Sequence, residues 1–227
     1  METTTELVNV EEFKSWLTRQ KTTKDLFRWN VTTEVAWSML QSAYRTEVES
    51  RGMQCEIPKE VSEYLWSIAV AMTTKSSKCG IILCGNCGNG KTTSMKAFAM
   101  VTEYLQGIHR KQCLDMGVWP DKPFKMEKTS ARRIVQVAKD EVAMSEAKRA
   151  TVLCIDDVGL EPTEVLDYGN SINPVIEILE QRYNQQLFTF ITTNLTPAQI
   201  REKYGDRIAD RFNEMMKSIV FKNPSFR

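Results

Sequence analysis

The sequence predicts an α/β fold in three layers, a five-stranded parallel sheet between helices, preceded by a small helical N-terminal region. Three observations lead there. Short apolar runs alternate with amphipathic stretches of helix length, the pattern of a parallel sheet covered on both faces. The first apolar run, Ile81–Cys84, leads into Gly85-Asn86-Cys87-Gly88-Asn89-Gly90-Lys91-Thr92, a complete match to G-x-x-x-x-G-K-[ST]. A later run, Val152-Leu-Cys-Ile155, ends in two consecutive carboxylates, Asp156 and Asp157.

The elements follow in order. Glu11–Gln20 and Thr33–Glu49 read as helices of an N-terminal arm covering residues 1–57, with Trp16, Trp29 and Trp37 as its aromatic content. Those tryptophans either pack the arm onto the core or dock a partner, since Trp is enriched at binding hot spots. Pro58 opens a helix with Val61, Leu65, Ile68, Ala69 and Met72 on one stripe. The strand Ile81–Cys84 and the glycine-rich loop follow, then a helix over Thr93–Leu105. The segment from Gly107 to Pro123 reads as irregular, with Gly117 and Pro120 as breakers. Further strands are expected at Phe124–Lys128, Thr151–Asp156, Leu187–Thr193 and Ser218–Phe221, with helices over Ala131–Ser145 and Pro174–Gln185. After Asn194, Thr196, Pro197 and Gln199 form a helix start with a capping box. Gly205 ends that helix and Asp206 is expected to cap the next, on which Arg207 and Arg211 share a face, free or paired with Asp210 or Glu214.

The residue types in the loop match the chemistry of a phosphate cradle. Gly85, Gly88 and Gly90 lack a Cβ and let triphosphate oxygens approach the main chain. Asn86, Cys87, Asn89 and Thr93 complete a run of N–H groups that ends on a helix N-terminus. Lys91 supplies a point charge for the phosphates and the Thr92 hydroxyl a ligand for Mg²⁺. Asp156 is expected to hold Mg²⁺, Asp157 to polarise the attacking water and Asn194 to position it. The alternatives are an Asp-Asp turn and an Asx turn.

Composition narrows the function. With 30 Lys+Arg against 29 Asp+Glu, the net charge is +1, which excludes coating of nucleic acid by bulk charge. The charge is nonetheless uneven. Lys122, Lys125, Lys128, Arg132, Arg133, Lys139, Lys148 and Arg149 precede an acidic stretch from Thr151 to Glu180 that has no Lys or Arg. Arg132 and Arg133 are either a solvated face or a contact to single-stranded DNA phosphates. No apolar stretch reaches the roughly 18–20 residues of a membrane span, and the N-terminal sequence lacks a signal-peptide pattern, so a soluble cytoplasmic protein is expected. The spacing of Cys79, Cys84 and Cys87, with Cys113 beyond, formally suggests a metal site, but Cys84 and Cys87 flank or occupy the phosphate loop.

Together the segments GNCGNGKT, LCIDDVGLE, FITTNLTPAQI and YGDRIADRFNEM resemble the AAA+ ATPases, a family of P-loop proteins, and within them the DnaC/IstB branch. The resemblance runs from about Ser62 onward. It implies that Lys91 and Thr92 are the Walker A residues, Asp156 and Asp157 Walker B, Asn194 sensor 1 and Arg211 the arginine finger, with Arg207 as the other basic position of that helix. Asp210 stands where the family has Ser. Glu161 fits the Asp-Asp-x-Gly-x-Glu pattern. The tail Asn223–Arg227 resembles a Ser-x-Arg element, which gives Arg227 as a substitute for the sensor-2 arginine of a helical lid that is reduced or absent here. The implied activity is ATP hydrolysis with ATP and Mg²⁺ as cofactors. The implied partners are a replicative helicase, single-stranded DNA and further copies of the chain assembled with ATP. A transposition helper that engages a transposase, and a small-molecule P-loop kinase, are the alternatives.

Overall fold

The computed structural model describes residues 9–20, 26–118, 123–162, 165–167 and 170–226. Its centre is a five-stranded parallel sheet made of β1 (Gly80–Gly85), β2 (Met126–Ser130), β3 (Val152–Val158), β6 (Phe188–Thr193) and β7 (Met216–Phe221), in the order β2-β3-β6-β1-β7. A separate antiparallel pair, β4 (Val165–Asp167) and β5 (Asn170–Ile172), was not anticipated from the sequence.

Strand alternation explains both helical layers. Ile81, Leu83, Val152, Cys154, Phe188 and Phe190 face one apolar core, and Ile82, Leu153, Ile155 and Ile191 face the other. The first core is closed by α2 (Thr33–Glu49), α3 (Lys59–Thr73) and α4 (Lys91–Asp115). The second is closed by α5 (Ala131–Gln136), α6 (Glu141–Arg149), α7 (Pro174–Gln185), α8 (Pro197–Tyr204) and α9 (Asp206–Met215). Buried between α6, α7 and β6, Arg182 donates to Thr189 Oγ1 and to the carbonyls of Ala147, Ala150 and Phe188 at 2.6–2.9 Å. That satisfies a charge that would otherwise be very costly inside a core.

The tryptophans divide. Trp29 is buried, stacks on Phe98 at 5.3 Å and donates to Thr102 Oγ1 at 3.2 Å. Trp37 packs edge-on against Trp66 and donates to Ser62 O at 3.2 Å. Trp16 is exposed on α1 (Val10–Gln20), beside Phe13. Residues 26–49 therefore belong to the same core as the sheet.

Several boundaries differ from the sequence expectation. The helix expected over Thr93–Leu105 starts at Lys91 and runs to Asp115, so the first half of the segment expected to be irregular is helical. Gly107 is exposed with open space around its Cα, and buried Cys113 anchors the helix beyond it. Pro120 lies outside the described residues. The helix expected over Ala131–Ser145 is two, because Asp140 Oδ1 accepts from Val142 N and Ala143 N and begins a new helix. The strand expected at Phe124–Lys128 lies two residues later. Gly205, not Asp206, occupies the cap of α9, and Asp206 pairs with Arg201.

Candidate functional site

Parallel strands direct the loops after β1, β3 and β6 to one edge of the sheet, where ligands of such folds bind. There a cleft of about 730 Å³ is lined by Cys87 to Thr93, Asp156, Asp157 and Asn194. The structure thus gathers the residues of three separate sequence segments around one space. Gly85 sits at the start of the loop, and Asn86 follows it.

The loop folds around its own lysine. Lys91 is buried, and its ammonium donates to Gly85 O and Asn86 O at 2.7 Å and to Asn89 Oδ1 at 3.1 Å. Burial pushes its pKa below the ordinary lysine value, opposed chiefly by the negative charge of Asp157. Gly90 caps α4 at φ +96°, and a Cβ there would come within 2.7 Å of Tyr44 Oη. A side chain at that position would meet both backbone strain and a clash.

The acidic pair lies opposite. Thr92 Oγ1 donates to Asp156 Oδ1 at 3.0 Å, so hydroxyl and carboxylate share one corner of the cleft. Two hard oxygen donors so placed suit Mg²⁺. Asp157 has a left-handed backbone, φ +56°, and its N–H donates to Thr192 Oγ1 at 2.9 Å. Thr192 also donates to Asp156 Oδ1 at 2.5 Å. Sequence reading passed over Thr192; its place two residues before Asn194 on the adjacent strand was the available signal.

Two further supports were missed. The C-terminal tail closes on the loop: Phe226 N donates to Gly88 O at 3.0 Å, and Asn223 Nδ2 donates to Asn89 O at 3.1 Å. Arg227 lies outside the described residues. The end of α2 and the loop after it supply the remaining wall, through Tyr44, Arg51 and Met53. Arg51 donates to Thr93 Oγ1 at 3.3 Å and pairs with Glu47 at 2.6 Å, which also holds Lys96 at 2.7 Å.

Glu161 gains a physical role as a brace. It is buried, accepts from Gly159 N at 2.8 Å and from the Tyr204 hydroxyl, and thereby ties the loop after β3 to α8. Lys203 of α8 reinforces the tie by donating to Gly159 O and Glu161 O at 2.8 and 2.6 Å.

Arg207 and Arg211 stand apart from the cleft lining. Both meet Glu180 Oε1 on α7, Arg211 at 2.7 Å though off hydrogen-bond alignment, and Arg207 at 3.1 Å. Arg211 lies over the Tyr183 ring at 5.0 Å with its side chain 18% exposed, and Arg207 is 71% exposed. Neither pairs with Asp210 or Glu214, because Arg201 takes the former and Tyr183 the latter. Arg132 and Arg133 are exposed on the first turn of α5, while Lys125 and Lys128 are tied to Glu146 and Glu103. Among the described residues no helix is long and apolar enough to cross a membrane.

The strand order and the loop after β1 define a P-loop αβα fold. The sequence matches no protein-family model and no curated protein. The fold is similar to the crystal structure of DnaI, with a TM-score of 0.54 and 18% identity over 84% of this chain and 93% of that one. It is similar also to the crystal structure of the DnaC helicase loader, with a TM-score of 0.53 and 17% identity over 79% of this chain and 98% of that one. AMPPCP-bound DnaA from Aquifex aeolicus aligns at 16% identity and a TM-score of 0.46 over 73% of this chain; the chain spans about half of its length, 48%. At these identities the likeness is one of fold.

Proposed function

We propose that the chain is an ATP-hydrolysing assembly protein of the DnaC/IstB branch of AAA+ ATPases, which loads a replicative helicase onto single-stranded DNA. The observation that carries this reading is the 3.0 Å contact from Thr92 on the first turn of α4 to Asp156 on β3, with Asn194 lining the same cleft. ATP would lie along the loop from Gly85 to Thr93, where main-chain N–H groups and the start of α4 suit phosphates. Thr92 and Asp156 would hold Mg²⁺, which when bound neutralises charge on the phosphates. Lys91 would exchange its loop carbonyls for phosphate oxygens. Asp157 would take the proton of the attacking water, and Asn194 would orient that water. The fold likeness to DnaC and DnaI, which extends over nearly all of those two structures, favours the loader branch.

In this reading the arginine helix completes the site of a neighbouring copy, so that a homo-oligomer forms with ATP. Arg211 is the finger. Arg207 stays beside Glu180 when Arg211 leaves, so the carboxylate keeps a partner. The N-terminal arm, residues 1–57, engages the helicase through α1, whose Val10, Phe13, Trp16 and Leu17 are exposed. Arg132 and Arg133 contact DNA phosphates.

A reconstituted loading assay tests the whole. The purified chain, ATP and a hexameric replicative helicase are mixed with forked DNA whose single strand is coated by binding protein. The expected result is ATP-dependent stimulation of unwinding that Lys91→Ala abolishes. No stimulation, together with ATP-dependent activation of a transposase, would replace the loader with the transposition helper.

A further inference from the structure

We propose that Thr192 is a positioning residue that holds Asp156 and Asp157 in two separate tasks, metal binding and water activation. The inference rests on the ATPase reading above and deepens it.

Consecutive residues of a regular strand point to opposite faces of the sheet. Asp156 and Asp157 instead both line the cleft. Pairing of β3 with β6 shows how. Ile155 faces Ile191 and Val158 faces Thr193, so Asp156 and Asp157 together stand opposite the single residue Thr192. This is a bulge, which re-aims side chains and takes backbone groups out of the ladder. The Asp157 N–H displaced in this way is recovered by Thr192 Oγ1 at 2.9 Å, with Asp157 in the left-handed region. The same hydroxyl uses its one proton on Asp156 Oδ1 at 2.5 Å. Thr192 is fully buried, so water does not take over either bond. One hydroxyl thus fixes the carboxylate of one aspartate and the backbone of the next, from the strand whose end leads into Asn194.

Such support behind a metal ligand typically sets metal affinity by about 10–100-fold. The test compares Thr192→Val, which keeps the shape, with Thr192→Ser, which keeps the hydroxyl. Mg²⁺ is titrated against a fluorescent ATP analogue bound to each protein, and analogue binding is also measured in EDTA. Thr192→Val is expected to raise the Mg²⁺ midpoint about tenfold or more, with metal-free binding within about twofold of wild type. Thr192→Ser is expected to restore the wild-type midpoint. If Thr192→Val does not fold, Thr192→Ala against Thr192→Ser gives the same comparison. An unchanged midpoint in the hydroxyl-less variant, or an equal loss of metal-free binding, overturns the positioning role while leaving the ATPase reading intact. A wild-type protein that does not bind the analogue at all overturns both.

Discussion

Lys91 and the pair Arg207 and Arg211 are cations held in opposite ways. Lys91 is wrapped by its own loop, with three oxygens on one buried ammonium. The two arginines share one oxygen of Glu180 outside the cleft, one of them lying over the Tyr183 ring. A charge with three acceptors from its own segment is positioned by the chain alone. Two charges on one carboxylate are over-supplied, and either can leave without stranding the acid. The proposed function uses that difference: Lys91 serves the cleft of its own chain, and Arg211 is proposed to serve that of another copy.

Three substitutions probe that contrast. Arg211→Ala carries the largest expected effect, a loss of about 10³-fold or more in turnover of the assembled protein, with ATP affinity of the isolated chain nearly unchanged. An equal loss of affinity would place Arg211 in the cleft of its own chain. Lys91→Ala is expected to lower turnover by about 10²–10³-fold and to weaken nucleotide binding as well, which equilibrium titration reads directly. Retained turnover would remove the phosphate-loop assignment. Tyr204→Phe has the smallest effect expected. It leaves the buried Glu161 carboxylate short of one donor and should cost about 1.5–3 kcal/mol in urea denaturation. Wild-type stability would show that the Tyr204 hydrogen bond to Glu161 contributes nothing to holding the β3 loop on α8.

The phosphate loop and the five strands were legible in the sequence because each depends on local pattern. Gly85 to Thr92 is a contiguous motif, and β1, β3 and β6 are mainly apolar runs buried on both faces, whereas the half-buried β2 was expected two residues too early. The stripe on α3 and the cap at Thr196 were equally local. What escaped was set by tertiary context. Thr192 gains meaning only once β6 lies against a bulged β3. The arginines' true partner, Glu180, is on α7 and far from them in sequence, whereas Asp210 and Glu214 were near and already engaged. Trp29 belongs to the core through Phe98 and Thr102, contacts that cross from the arm to α4. Asp140 is a cap within what reads as one continuous helix, and it divides α5 from α6.

The sharpest measurement is turnover in mixtures of two inactive proteins, Arg211→Ala and Asp157→Asn. Each has one defective component, but an interface between them pairs an intact Asp157 cleft with an intact Arg211. If the arginine helix completes a neighbour's site, mixing restores turnover, with a maximum near equal proportions. Absence of recovery at every ratio, with both proteins folded and still binding ATP, would contradict a site shared between copies.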